Sequence, residues 1–357
     1  MNHQLFFREQ FSRFIAASRS GRRLSASGKR IKKGTIINYE HALRLIIKFE
    51  EKTSRLLHIQ LLHRASMRSL QKEKNYWQRF YRQFADFLYK DKKHNDNYVA
   101  NTFKVIKTFM NYLQKEKGWV IGNYHKAFRV PIQQSAPVVL TPAQLGFLIT
   151  NKEFEKGLNQ YQKRAKDVFV FGCTVGLRYS DLMSLKKTNM IYSPEGHLLT
   201  LHTQKTGTEI KVPLPDYLME IIKKYHIKAG RYLLPRLSCT NLNRQVKNLG
   251  RAAGWCYTLP KNISHRGNIL EIKTKKGKSW PFYRHITAHT MRRTAITTLL
   301  LMGVPENMVR TVSGHAPGSK EFYKYIGIAQ DYLNHEVKKA YQKLLESPAL
   351  LPKQIRA

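Results

Sequence analysis

The chain has 357 residues, enough for about two domains that each bury a core. Its formal net charge of +40, from 63 Lys plus Arg against 23 Asp plus Glu, calls for a polyanionic partner. No apolar run approaches the ~20 residues of a membrane span, and the N-terminal MNHQLFFREQFSRF has no secretory hydrophobic region, so no membrane partner is expected and the expected location is cytoplasmic, at the nucleoid.

Residues 1–33 read as a short helix around residues 6–17 followed by a basic, glycine- and serine-punctuated arm. That arm is expected to be mobile, either as a solvated charge run or lying on DNA phosphate. Residues 34–122 give three amphipathic helices and form a helical domain. Tyr39, Leu43, Ile46 and Ile47 share a face of the first; Trp77, Phe80, Phe84, Phe87 and Leu88 of the second; Phe103, Ile106, Met110 and Leu113 of the third. Aromatics at helical spacing read as core rather than as a base-stacking platform. Residues 123–140, with two prolines and no period, are the expected linker.

A second domain, residues 141–330, opens on Thr141-Pro142-Ala143-Gln144, a capping box with proline at the first helical position. Further on, Gly176 can end one helix and Ser180 can cap the next, which holds Arg178 at a helix mouth. Residues 198–214 alternate apolar and polar about Thr206-Gly207, a β-hairpin with Lys205 beside its tip. A second hairpin is expected over residues 269–286, around Lys275-Lys276-Gly277. Residues 331–357 form a C-terminal helix and tail with an apolar stripe of Leu333, Val337, Ala340, Tyr341 and Leu344. The fold class is therefore mostly α with small β-hairpins (α+β).

The densest chemistry lies in HTMRRTAITTLLLMGVPENMVRTVSGHAPGSKEFYKY, residues 289–325. Taken singly, its His, Arg and Tyr would be ordinary surface residues. In combination, Arg178 in GLRYSDL, Lys205 in TQKTG, His289 and Arg292 in AHTMRRT, His315 in SGH and then Tyr325 stand in the order and at the spacings of the tyrosine recombinases, the phage integrase family. The chain resembles that family over essentially its whole length. GRRLSASGKRIKKGTIINYEHAL and the ending FYKYI resemble, more loosely, the integrases of conjugative or mobilisable elements. The resemblance implies a helical core-binding domain followed by a catalytic domain, double-stranded DNA recombination sites as substrate, a homotetramer on DNA, and accessory DNA-bending or directionality factors as further partners.

The chemistry of those side chains agrees. In-line attack on a phosphodiester piles charge on the non-bridging oxygens, which planar guanidinium forks at Arg178 and Arg292 suit. A tyrosine phenol, with a pKa near 10, needs help to become a nucleophile; His289 is the candidate to take its proton and His315 to donate to the phosphate. The leaving 5′ oxygen needs a proton, assigned to Lys205 as the resemblance also implies. The product would be a 3′-phosphotyrosyl link that keeps the bond energy, so neither metal nor nucleotide cofactor is expected. Asp181 is a candidate to orient an arginine or histidine, or is a first-turn helix acid, and Arg293 a candidate DNA contact.

His285 and His289 are four apart, but a metal site lacks a third ligand. Two nucleotide-loop near-matches fail, since Gly28-Lys29 is followed by arginine and Gly277-Lys278-Ser279 has isoleucine where the upstream glycine should stand, and Cys173, Cys239 and Cys256 share no metal-ligand spacing. Ten positions separate His315 from Tyr325, one more than relatives commonly show, and eight separate it from Tyr323. Residues two apart on a helix point in roughly opposite directions, and the flanking Phe322, Lys324 and Ile326 favour Tyr325. Competing functions are a type IB topoisomerase, which shares the site, and a non-catalytic DNA-binding architectural or ribosomal protein.

Overall fold

A computed structural model of the chain describes residues 4–133, 137–194, 196–204, 207–316 and 318–346. Its contacts divide it into two units, Met1–Ser135 with Lys261–Ile272, and Ala136–Pro260 with Lys273–Ala357. The chain is mostly helical, with a few small antiparallel sheets.

In the first unit, β1 (Gln4–Phe6) leads into α1 (Phe7–Ser20), and α2 (Lys33–Thr53) is followed by β2 (His58–Gln60), which pairs with β1. Then come α3 (Met67–Asp86) and α4 (Asp96–Lys115). Ser66 and Asn95 cap α3 and α4 by accepting the N–H groups of Ser69 and Tyr98, the role for which short polar side chains are favoured there. The aromatic stripe of α3 is core: Trp77, Phe80 and Phe84 are buried, and Phe49 from α2 meets Phe84 at 5.2 Å. From α1, Phe11 stacks on Phe109 of α4 at 4.6 Å.

The expected mobile arm is instead folded back. Leu24 bridges Arg30, and the Arg23 guanidinium sits 4.6 Å over the Phe14 ring while its Nε donates to Glu116 at 3.0 Å. An ion pair and a ring face together hold a segment whose composition alone reads as solvated.

The second unit begins with α5 (Pro142–Thr150), whose Thr141–Gln144 capping box forms as expected, then α6 (Lys152–Lys156), α7 (Gln160–Val175) and the short α8 (Tyr179–Leu182). Arg178, not Ser180, is the N-cap residue of α8. A three-stranded sheet follows, β3 (Met190–Ser193), β4 (Gly196–His202) and β5 (Glu209–Pro213), with Leu201 opposite Ile210. After α9 (Asp216–Tyr225), α10 (Cys239–Ala252) and β6 (Thr258–Leu259), the chain enters the first unit as a hairpin of β7 (Asn262–His265) and β8 (Asn268–Glu271). It returns through β9 (Trp280–Pro281), which pairs with β6, to α11 (Ala288–Leu301), α12 (Glu306–Ser313) and α13 (Lys320–Glu346).

Two hairpin expectations diverge. The β4–β5 hairpin lies where alternation put it, whereas the strands expected over residues 269–286 are split between β7–β8 and the β6–β9 pair. The tip of β7–β8 is Arg266-Gly267, with φ of +54° and +83°. That is the positive-φ pair of a two-residue hairpin turn, but an arginine does not announce it as Asn-Gly would.

The left-handed arginine is held by Asp96, which has no solvent exposure. Its carboxylate accepts from Ser264 Oγ (2.6 Å), Tyr89 Oη (2.7 Å), Arg266 N (2.7 Å) and Gly267 N (2.9 Å). Burial alone would raise the carboxyl's pKa, but these donors outweigh it and hold the group below its ordinary range. The second unit has a comparable network, in which Lys166 and Lys224 bridge Glu155 and Asp167 at 2.6–3.6 Å and tie α6, α7 and α9 together.

Asp96→Ala therefore strands two turn amides and two hydroxyls, costing about 2–4 kcal/mol locally. In hydrogen exchange, the amides of Arg266 and Gly267 should lose protection by about 10²-fold. Because the folded carboxyl is the stronger acid, the same protection is complete above its ordinary pKa of about 4 and is lost as pH falls below it.

Candidate active site

Helices α7 and α11 approach closely enough that a Cβ on Gly172 would stand 2.4 Å from Met291 Sδ, so glycine is required at the crossing. Four residues on, Gly176 ends α7 in the left-handed conformation (φ +68°), a common helix stop. Its carbonyl accepts from Arg292 Nη1 at 3.2 Å. The packing thus sets Arg292, on α11, beside Arg178, which immediately follows the α7 terminus.

Arg292 is 2% exposed and, among the described residues, forms no ion pair. Burial first, then repulsion from Arg178, pushes its guanidinium pKa down to about 10. On its far side, Arg292 Nη2 lies 3.1 Å from His315 Nε2 and 3.2 Å from Nδ1. Ser313 Oγ donates to Val309 O at 2.6 Å and lies 2.8 Å from His315 Nδ1, so it can accept an Nδ1–H. Burial and then Arg292, Arg178 and Arg310 push the His315 pKa down to about 4. Arg178 Nη1 is buried without a hydrogen-bond partner. Among the described residues the cluster thus has surplus donors and an excess of positive charge, which Asp181 only partly offsets at Arg292.

Tyr325 closes the cluster from the second turn of α13. It is 5% exposed, packs with Ile296, Val309 and Phe322, and its ring lies 6.0 Å from that of His315. Tyr323 is 55% exposed, with Arg310 5.1 Å from its ring centre. The helix separates the two phenols as their spacing requires. His289 stands at the exposed rim, its pKa lowered first by partial desolvation and then by Arg293 and Arg292, against Glu321. His285 ends a turn of 3-10 helix ahead of α11, so it does not share a helical face with His289.

Of the residues singled out in the sequence, Arg178, His289, Arg292, His315 and Tyr325 meet here, and Lys205 lies outside the described residues. Its hairpin stem is described: Asp181 Oδ1 accepts Gln204 N at 2.9 Å, and Gln204 Nε2 donates to Ser184 Oγ at 2.9 Å. Asp181 thus bonds the hairpin's backbone rather than an arginine or histidine.

The phage integrase family's sequence profile matches residues 139–330, more than half the chain and every residue of this cluster. The chain belongs to the phage integrase family. No curated protein matches it in sequence. Similar solved structures include a lambda integrase tetramer bound to a Holliday junction, at 15% identity and TM-score 0.57, covering 88% of this chain and 79% of that one. Another is the Tn1549 transposon integrase in complex with transposon right end DNA, at 15% and 0.54, covering 94% and 99%. A third is the XerH site-specific recombinase bound to difH substrate, at 14% and 0.55, covering 89% and 92%. At these identities the likeness establishes the fold.

Two contacts of this integrase-family site escaped sequence reading. Ser313 belongs to the SGH motif but carries no signal of its own, and the Gly176 carbonyl is backbone, invisible to any motif of side chains.

His315 should stay neutral at pH 7 and take up its proton only near pH 4, observable by NMR titration of its ring. Inorganic phosphate, by supplying the missing negative charge, should raise that midpoint. Because the unfolded imidazole titrates near 6.5, the second unit's stability should fall as pH drops from about 6.5 to about 4, and less so in His315→Gln.

Proposed function

We propose that this protein is a site-specific DNA recombinase that cuts and rejoins strands through a 3′-phosphotyrosyl intermediate, for integration or excision of a mobile element. The observation that carries the reading is the buried Arg292, without an ion pair among the described residues, beside Arg178, His315 and Tyr325: a cationic cluster with a phenol packed against it. A scissile phosphate suits that charge.

In this reading Arg178 and Arg292 clamp the non-bridging oxygens as charge builds there. The Tyr325 phenolic oxygen attacks phosphorus, its proton passing to His289, whose depressed pKa keeps a neutral imidazole ready to accept it. As the new O–P bond forms, the bond to the 5′ oxygen breaks, and that oxygen takes a proton from the Lys205 ammonium. The bound phosphate's charge raises the His315 pKa, so that its ring donates to a non-bridging oxygen. Attack by a 5′ hydroxyl from another strand reverses each transfer and releases Tyr325. The steps use no metal and no nucleotide.

Partner sites and assembly follow from the same reading. The substrate is duplex DNA, in keeping with the +40 charge and with the DNA in the solved complexes of similar fold. A homotetramer would join two sites, each copy lending its C-terminal helix to a neighbour. Leu333, Val337 and Tyr341 stand 41–66% exposed along α13, an apolar stripe in want of cover; the side chains of Ala340 and Leu344 lie outside the described residues. Accessory bending or directionality factors would act on the same DNA. Among the described residues no helix is long and apolar enough to cross a membrane, and the proposed place of action is the cytoplasmic nucleoid.

A nicked duplex carrying the repeats that flank the gene tests the chemistry, since loss of the short downstream strand traps the covalent adduct. Wild-type protein should become linked to DNA, and Tyr323→Phe should also. Tyr325→Phe should lose the adduct by about 10³-fold or more, and Arg292→Ala should slow it by about 10² to 10³. An undiminished adduct in Tyr325→Phe would remove Tyr325 from its role.

A further inference from the structure

One basic element remains outside the site. Between Ile272 and Glu306 the sequence has seven Lys or Arg and no Asp or Glu, and four of them, Lys273, Lys275, Lys276 and Lys278, crowd about one turn. All four are exposed, and among the described residues none forms an ion pair.

The turn is tightly built. Thr274 N donates to Lys278 O at 2.8 Å, Gly277 N to Thr274 O at 2.9 Å, Lys278 N to Thr274 Oγ1 at 3.2 Å, and Thr274 Oγ1 to Lys278 O at 2.9 Å. Gly277 takes φ +73°, the left-handed residue that lets a three-residue loop close. Just beyond it, Phe282 is buried, donates its N–H to Tyr257 O at 2.7 Å and stacks on the Tyr257 ring at 4.7 Å. The lysines therefore project from fixed backbone.

A turn one residue longer, at residues 203–208, has Thr203 N donating to Thr208 O, Gly207 N to Thr203 O and Thr208 N to Thr203 Oγ1, with Gly207 at φ +73°. The bonding of residues 274–278 itself recurs once more. In residues 25–29, Ser25 N donates to Lys29 O, Gly28 N to Ser25 O, and Lys29 N to Ser25 Oγ, with Gly28 at φ +71°. A hydroxyl residue, a left-handed glycine and a closing lysine make up one device, used at residues 25–29 and 274–278.

We infer that the turn at residues 274–278 is a phosphate grip, holding the sugar-phosphate backbone of duplex DNA through Lys275, Lys276 and Lys278 without reading its sequence. Unpaired like charges on a rigid loop repel one another until a polyanion arrives, and a preordered backbone loses little entropy when it does. The inference rests on the recombinase reading only for the identity of the polyanion.

The test measures binding rather than cleavage, in a Tyr325→Phe background, as a function of salt. Each lost phosphate contact should reduce the slope of log affinity against log salt by about 0.9. The triple variant Lys275→Ala, Lys276→Ala, Lys278→Ala, which keeps Thr274 and Gly277, should lower the slope by about 2 to 3. It should weaken binding about 10²-fold at 0.1 M salt, equally on a recombination site and on unrelated duplex. The Lys→Arg triple should keep the wild-type slope, which excludes misfolding as the cause. An unchanged slope in the alanine triple would overturn the grip and leave the turn to an acidic protein partner; loss confined to the recombination site would overturn it in favour of base reading. Failure of the recombinase reading is seen separately, as no covalent adduct from wild-type protein on the nicked duplex.

Discussion

A guanidinium sealed from water, with no ion pair among the described residues, is the constraint on which the catalytic unit depends. Burying an unpaired charge is costly enough that proteins avoid it unless something else supplies the counter-charge. Here Arg292 bonds a backbone carbonyl and an imidazole, and the second arginine beside it opposes its charge more strongly than Asp181 offsets it. Such a pocket is poorly suited to being empty and well suited to a phosphate, above all to one gaining charge. Pre-ordered donors in a dry site need no reorganisation at the moment of reaction.

The surrounding fold can be understood as what keeps that arrangement from relaxing. Gly172 lets α7 and α11 touch, and Gly176 turns the chain so that Arg178 faces Arg292. Thr294, two residues further along α11, accepts the N–H of Leu140 at 2.9 Å and ties the start of the unit to the same helix. Ser313 fixes one ring nitrogen of His315, leaving the other toward Arg292. Asp181 pins the described stem of the β4–β5 hairpin by accepting the N–H of Gln204.

Most of this could be read from the sequence, and where it could not the reason is physical. The helices of the first unit were legible because their apolar residues recur at helical spacing, and Trp77, Phe80 and Phe84 are as buried as that spacing implies. The choice of Tyr325 over Tyr323 rested on flanking residues, and the two phenols do fall on opposite sides of α13. The folded-back arm and the β7–β8 hairpin were not legible. Each is held by a side chain distant in sequence, Glu116 for Arg23 and Asp96 for Arg266, and no local pattern encodes a partner 93 or 170 positions away. In both, a basic residue that looks solvated is in fact held by a long-range carboxylate.

The same distinction separates structural from functional cations along this chain. With 63 basic residues and 23 acidic ones, only a minority of cations can be paired, so the paired ones mark where the fold needs fixing. Arg23, Arg266, Lys166 and Lys224 belong to that set, each bonded to a carboxylate that staples elements together. Arg178, Arg292 and the lysines of residues 273–278 have no such partner among the described residues. They are nonetheless set on stiff backbone: a helix, a capped helix end or a closed turn. Flexible unpaired lysines cost little and signify little. Rigid ones keep their mutual repulsion in the free protein, and a phosphate backbone is the partner that relieves it.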